Sequence, residues 1–375
     1  MSRLKSKIPI RRGRDPQSLL TKSRRFRLIR MLQHSRITDH ESRTTDVRSA
    51  LRDAIAQLER EHVPSAALAA ELLLMHILDR DRAWIYAHPE QELDAPARER
   101  YFSLVTRRAG GVPTQYLTGH QEFWGLDFEV TPAVLIPRPE TEHVIEVALE
   151  RLGITAATAA QRRSDALRIA DVGTGSGCIA VALAHELPGA RVVATDISAA
   201  ALEVARRNAA RHEVSDRVDF TECNLLEAFF HQSPFTPVQD RPATLPPPMA
   251  DSGQASHPSS PSGRLRARES RLFDLIASNP PYIGRNEAAA LPREVREHEP
   301  EEALFGGEAG TEIYAPLIAQ AAMLLKPNGI LVLELGHNSR EHASRLLAAA
   351  EWTGVAVTHD LAGIPRVASA LRSSR

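Results

Sequence analysis

The sequence predicts an α/β fold, a mostly parallel sheet with helices on both faces, preceded by a small N-terminal helical bundle. Three observations predict it. Short apolar runs alternate with helical stretches from Leu167 to Leu335, the pattern of strands joined by crossover helices. A glycine-rich turn, Asp171-Val-Gly-Thr-Gly-Ser-Gly177, follows one such run and precedes a helical one. Upstream, Val47, Leu51, Ile55 and Leu58 recur at spacings of three and four, the stripe of a helix that packs on other helices. A chain of 375 residues has room for about two domains. Its 43% hydrophobic and 25% charged content is that of an ordinary globular protein. No run approaches the ~18 apolar residues that a membrane-spanning helix needs.

In chain order, Asp46 is placed to cap the first helix. Pro64-Ser65 opens a second, with Leu68, Leu72, Met75 and Leu78 on one face. A third covers Ala95 to Arg108 and stops at Gly110-Gly111, which gives a helical unit over 46–120. A linker over 121–138 follows. In it, Glu122 to Thr131 alternates aromatic and polar residues around Gly125, as a hairpin does. In Leu135-Ile-Pro-Arg-Pro-Glu-Thr-Glu142 two prolines fix the backbone, and Pro139 suits the first turn of the next helix. The α/β unit then spans 139–375. Strands are expected at Leu167–Val172, Arg191–Thr195, Arg217–Thr221, Leu272–Ser278 and Gly329–Leu335, and helices at Cys178–Leu187, Ala199–Arg211 and Glu312–Leu325.

The net charge of −1 hides an asymmetry. Residues 1–36 carry twelve Lys/Arg against the single acid Asp15, which leaves the rest of the chain at −12. So acidic a body is a poor electrostatic partner for a phosphate backbone. The 42 Arg against 4 Lys reflect the codon bias of a GC-rich genome. Three readings of the leader, residues 1–45, stay open: a disordered basic tail, a start site placed too early (Met31 lies inside it), or a transit peptide. Residues 231–270, with eight Pro and seven Ser, read as a disordered insertion. Cys178 and Cys223 form no CxxC pair and no zinc-like spacing, so neither a disulfide scaffold nor a zinc site is expected. A reducing compartment fits: the cytoplasm, or the mitochondrion if the leader directs import.

The chemistry sits in two motifs. Gly173, Gly175 and Gly177 allow a tight turn and let a ligand lie against the backbone. Their spacing is GxGxG, not the GxGxxG of nicotinamide sites, and Asp171 would repel a pyrophosphate while suiting a cationic, amino-acid-bearing ligand. Asp196 ends the next strand, where a carboxylate grips ribose hydroxyls. Together these favour S-adenosylmethionine over NAD. The second motif, Asn279-Pro280-Pro281-Tyr282, directly follows another strand. The Asn carboxamide offers one oxygen acceptor and the Pro280 carbonyl a second, while Pro281 stiffens the turn and brings no donor. Two acceptors aimed at one planar NH₂ favour a pyramidal nitrogen and stabilise the positive charge that develops as a methyl arrives. Tyr282 offers a flat face on which the planar target can stack.

The pair DVGTGSG at 171–177 and NPPYI at 279–283 resembles the class I S-adenosylmethionine-dependent methyltransferases that act on planar NH₂ groups. Gly110–Gly119 (GGVPTQYLTG), Glu122–Gly125 (EFWG), Leu135–Glu142 (LIPRPETE) and Ala303–Gly307 (ALFGG) narrow this to the HemK/PrmC family, the protein-(glutamine-N5) methyltransferases of peptide chain release factors. The resemblance covers about residues 47–375. NPPY is shared with adenine-N6 DNA methyltransferases, whereas LIPRPETE is not.

The resemblance implies a Rossmann-like class I fold whose helical unit docks the partner. It implies that Gly173, Thr174, Gly175, Ser176 and Gly177 hold the methionine part of the cofactor, Asp196 its ribose, and Asn224 and Leu225 its adenine, with Asn279 also at the cofactor. Asn279, Pro280, Pro281 and Tyr282 would bind the glutamine amide, and Asn279, Pro280 and Tyr282 would act in catalysis without a metal. Arg138, Glu140 and Glu142 would shape the site from the linker side. Phe123 has two readings, a wall of the glutamine pocket or packing within the hairpin. The family usually has Asp at position 224, where Asn can still accept from the adenine amino group; the leader and the insertion have no counterpart. The implied substrate is the glutamine of the Gly-Gly-Gln tripeptide in class-1 release factors. The alternatives are an adenine-N6 DNA or RNA methyltransferase, to which a flipped base presents a similar NH₂, and a cofactor-sensing scaffold without turnover.

Overall fold

The computed structural model describes residues 45–154, 166–230 and 272–374. The expected disordered leader, up to residue 44, and the expected insertion at 231–270 lie outside the described residues.

The helical unit begins as expected. Asp46 accepts a hydrogen bond from the Ser49 amide (2.7 Å) and caps the helix Val47–Arg60. The helices Ala66–Leu78 and Ala95–Ala109 pack on it, and two short helices, Arg82–Ala87 and Thr114–Thr118, complete the unit. Neither short helix is among the expected elements. A strand pair, β1 (Thr45–Asp46) and β2 (Glu92–Leu93), ties the entry of the chain to the bundle. Leu58, Leu73, Leu74, Ile85 and Tyr101 form a core separate from those of the sheet.

The hairpin β3 (His120–Phe123) and β4 (Leu126–Glu129) turns at Trp124-Gly125, both with positive φ, which glycine adopts freely. Phe123 is buried edge-to-face against Phe128 in the main core, as its hairpin-packing reading expects, and it does not line the cavity at the strand ends.

The main sheet has seven strands: β5 (Arg168–Val172), β6 (Arg191–Asp196), β7 (Val218–Glu222), β8 (Phe273–Ser278), β9 (Leu325–Glu334), β10 (Trp352–His359) and β11 (Pro365–Arg372). Their order is β10-β11-β9-β8-β5-β6-β7, and β11 alone runs opposite to the other six. The expected strands end at Leu335, so β10 and β11 are additions to them. β9 is longer than expected from Gly329: pairing begins at Leu325, and the ladder shifts register before Ile330.

Side chains alternate along β5, with Ile169 facing one apolar layer and Ala170 and Val172 the other. The first layer is built with the helices Glu142–Arg151 and Cys178–Glu186, the second with Tyr314–Leu324 and Arg340–Leu347. Among the described residues no helix is long and apolar enough to cross a membrane.

One buried amide fastens the hairpin to the sheet domain. Asn208, on the helix Ala199–Arg211, accepts from the Glu129 amide (2.7 Å) and donates to the carbonyls of Glu129 and Ser176 (2.9 Å each). Asn208→Ala leaves these backbone groups without that partner, and a loss of about 2–4 kcal/mol is expected. Equilibrium urea unfolding checks this: the midpoint should fall while the slope stays the same.

Candidate active site

β5 lies between β6 and β8, and the chain leaves the two neighbours toward opposite edges of the sheet. The crevice at the carboxyl ends of these strands is the usual ligand site of such a sheet. It holds a cavity of about 280 Å³ lined by Gly173, Thr174, Gly175, Ser176, Asp196, Asn224, Leu225, Asn279 and Pro281 among others. Of the sequence-predicted residues, Gly177, Pro280 and Tyr282, and on the linker side Glu140 and Glu142, do not line it.

The glycine turn is held by its own backbone. The amides of Gly173 and Thr174 both donate to the Thr195 carbonyl at the end of β6 (2.9 Å each). Gly173 and Gly175 have positive φ, and a Cβ built on either meets nothing within 4 Å. Their missing side chains leave room beside the backbone. Gly177 differs: a Cβ there would sit 3.0 Å from Ala205 Cβ, so this glycine lets the helix Ala199–Arg211 pack close.

Asp171 lies under the turn rather than in the cavity wall. It is fully buried, its Oδ2 accepting from the Thr174 hydroxyl (2.6 Å) and the Ala180 amide (3.1 Å). Its Oδ1 has no hydrogen-bond partner. Burial pushes this carboxyl up to about 7, against the pull of the Thr174 and Ala180 bonds. Asp196 faces the cavity, with its oxygens fixed by the amides of Gly175 and Ser198 (2.9 Å each). Burial raises its pKa as well, opposed by those amides.

Two asparagines present an oxygen by the same means. Asn224 donates its Nδ2 to Glu227 (2.9 Å), and Asn279 donates its Nδ2 to the Thr141 hydroxyl (3.0 Å). The donor end of each amide is thus engaged and the acceptor end left for a ligand. Leu225, with φ 53°, completes the wall beside Asn224. Tyr282 turns away from the cavity. Its ring packs against Gly336, where an added Cβ would come within 2.7 Å, and its hydroxyl donates to Glu334 (3.1 Å).

The linker residues divide the remaining work. Arg138 lines the cavity and pairs with the buried Glu299 (2.5 Å). Glu142 accepts from the Trp124 amide (2.8 Å) and so anchors the hairpin turn. Glu140 lies 3.7 Å from Arg366. Sequence reasoning missed Thr141, Glu302 and Phe305, which also line the cavity. For Thr141 the signal was its place between Glu140 and Glu142 in the proline-stiffened segment; for Phe305 it was the ALFGG segment. Among the described residues no group of three or more His, Cys, Asp or Glu is placed to hold a metal ion.

Comparison with known proteins agrees with this architecture. Residues 49–119 match the PrmC N-terminal domain and residues 169–240 a methyltransferase domain. The chain is 40% identical to the release factor glutamine methyltransferase of Koribacter versatilis over 86% of its own length and 96% of that protein's. It is 38% identical to the release factor glutamine methyltransferase of Nitratidesulfovibrio vulgaris, over 86% of this chain and 94% of that one. The one from Chlorobaculum tepidum is 38% identical over 82% and 92%. The chain belongs to the release factor glutamine methyltransferase family. It is a methyltransferase that uses S-adenosylmethionine.

The residues present fit this cofactor. S-adenosylmethionine carries a net positive charge, and the orphaned Asp171 oxygen and the Asp196 carboxylate put negative potential beneath an otherwise largely apolar cavity. A cation favours the ionised form of a neighbouring carboxyl. Because Asp171 titrates near 7 in the free protein, the methyltransferase should bind its cofactor more weakly as pH falls through neutrality, and binding there should release protons. Titration calorimetry in buffers of different ionisation enthalpy measures both, and Asp171→Asn should flatten the dependence.

Proposed function

We propose that this methyltransferase transfers a methyl group to the side-chain amide nitrogen of the glutamine in the Gly-Gly-Gln motif of class-1 peptide chain release factors. The observation that carries this is the Asn279 carboxamide, whose Nδ2 is engaged by Thr141 at 3.0 Å so that its oxygen is left to accept from a substrate NH₂. The names of the curated relatives support the choice of substrate.

An amide nitrogen is a poor nucleophile because its lone pair is delocalised into the carbonyl. An acceptor on its hydrogens, the Asn279 oxygen in the cavity wall, favours a pyramidal nitrogen and stabilises the charge that develops there. The Pro280 carbonyl is assigned as the second acceptor from its place in the motif, although Pro280 itself does not line the cavity. When bound, S-adenosylmethionine would supply an electrophilic methyl from its sulfonium, the sulfur leaving as a neutral thioether. The substrate amide would release its proton to solvent, so the chain need provide no strong base. We assign Gly173 to Gly177 to the methionine part of the cofactor, Asp196 to the ribose, and Asn224 with Leu225 to the adenine. Gly177 acts by allowing close helix packing. Pro281 lines the amide pocket, and Tyr282 acts through Glu334 rather than by stacking. We assign docking of the release factor to the helical unit.

An adenine amino group would meet the same acceptors, but a chain whose residues beyond 36 carry a net charge of −12 is a poor partner for nucleic acid. Mass spectrometry of a class-1 release factor after incubation with the protein and S-adenosylmethionine tests the reading. The expected result is a gain of one methylene mass on the Gly-Gly-Gln glutamine; transfer to DNA or RNA instead would overturn it. Asn279→Ala should lower turnover by about 10²–10³-fold, the usual effect of losing a preorganised polar group at a developing charge, with little change in cofactor affinity. Asp196→Ala should act chiefly on cofactor affinity, read by calorimetry.

A further inference from the structure

Behind Asn279 stands a chain of side chains that the transfer chemistry does not use. Thr141, which accepts from Asn279, is 2% exposed at the end of the 3₁₀ turn Pro139–Thr141. Its hydroxyl bears on the carboxyl of Glu334 at the end of β9, itself 1% exposed. Tyr282 donates to Glu334 Oε1 (3.1 Å), and the Tyr314 hydroxyl donates to the Glu334 backbone carbonyl (3.0 Å). Glu334 Oε2 is buried without a partner of hydrogen-bonding geometry. A carboxyl kept so deep beside the site, with one oxygen left over, calls for a role.

We propose that Glu334, acting through Thr141, is a positioning residue that sets which end of the Asn279 carboxamide faces the substrate amide. The inference rests on the amide-transfer reading above. Its logic is the direction of hydrogen bonds. A hydroxyl has one hydrogen. An ionised Glu334 can only accept, so Thr141 sends its hydrogen to Glu334 and keeps its lone pairs for Asn279 Nδ2. The Asn279 oxygen then faces the cavity. A protonated Glu334 can instead donate to Thr141. The Thr141 hydrogen is then free to go to the Asn279 oxygen, the amide flips, and an NH₂ faces the NH₂ of the substrate. Donor against donor neither binds the glutamine nor stabilises charge on it.

The surroundings place this change in a useful range. Burial pushes Glu334 up to about 7, opposed by the Thr141 and Tyr282 hydroxyls. From the neighbouring elements Glu140 raises it further and Arg366 on β11 lowers it. The Tyr314 phenol, pushed up to about 12 by burial, and the Cys178 thiol, likewise about 12, stay protonated throughout. Productive orientation is therefore present above neutrality and lost as pH falls through about 7. Glutamine at 334 would always retain a donor and so could not impose it.

The test uses full-length protein, S-adenosylmethionine and a class-1 release factor, with kcat and KM followed against pH. The wild type should lose kcat as pH falls through about 7. Glu334→Gln should be slower by about ten- to a hundredfold, a partial loss of preorganisation. It should show no such inflection and keep nearly the same cofactor affinity. Thr141→Val should lose kcat similarly, with Thr141→Ser restoring it, so the inference does not hang on Glu334→Gln folding well. A Glu334→Gln or Thr141→Val enzyme with wild-type kcat and the same inflection would overturn it.

If the wild type methylates no glutamine, the amide-transfer reading itself fails, and NMR decides the inference separately. The Asn279 side-chain NH₂ resonances, identified by their loss in Asn279→Ala, should titrate near neutrality in the wild type and not in Glu334→Gln. Resonances that do not titrate, or titrate equally in both, would overturn it.

Discussion

Parallel pairing of β5 with β6 on one side and β8 on the other obliges the chain to leave those neighbours in opposite directions, and every group in the site hangs on that divergence. The crevice exists because no connection can cross it. The glycine turn after β5 is then pinned to β6 through the Thr195 carbonyl, and the Ser278 hydroxyl at the end of β8 donates back to the Val172 carbonyl of β5 (2.6 Å). The three strand ends behave as one rigid rim. A side chain carried at the rim inherits its precision from the sheet, not from its own loop.

On such a rim, amides are the natural choice of functional group, provided something fixes their orientation. A carboxamide has a donor end and an acceptor end of nearly the same shape, so its function depends on what satisfies the other end. Asn208 has both ends satisfied by backbone and is structural. Asn224 and Asn279 each have only the donor end tied, by Glu227 and Thr141. The same residue type thus serves as a staple or as a presented acceptor according to its neighbours. An aspartate at 224 would need no such partner, because both of its oxygens accept; the Asn here comes with Glu227 three residues on.

What was legible in the sequence follows from range. Local rules named the elements that local chemistry decides: the Asp46 cap, the hairpin around Gly125, the glycine turn after β5 and the alternation of strand and helix. β10 escaped because it is mostly exposed at a sheet edge, so that Trp352–His359 lacks the apolar run of a central strand. β11 is buried at its centre, but Val367-Ala-Ser-Ala370 there is too small and mixed to read as such a run. The site was legible as motifs and not as contacts. Thr141 and Asn279 are 138 residues apart and meet only through the topology. Tyr282 shows the converse limit. Its position in the motif suggested a stacking face, yet the close approach of Gly336 and the acceptor at Glu334 draw the ring inward.

Asp171 and Glu334 share an energetic predicament that ties folding to function. Each is a buried carboxyl, each has an oxygen without a partner, and burial raises each to about 7. A carboxyl whose pKa is higher folded than unfolded gives stability that is complete below its unfolded value and lost as pH rises through the folded one. At neutral pH, then, both weaken the empty fold. A well-packed apolar pair would make a more stable sheet, so the presence of each is better explained by the site. Positive charge in the cavity favours the ionised form of Asp171, which relieves the penalty beneath the glycine turn. Glu334 stands outside the cavity wall, and its cost is offset not by the cofactor but by the orientation it holds, through Thr141, in the Asn279 amide.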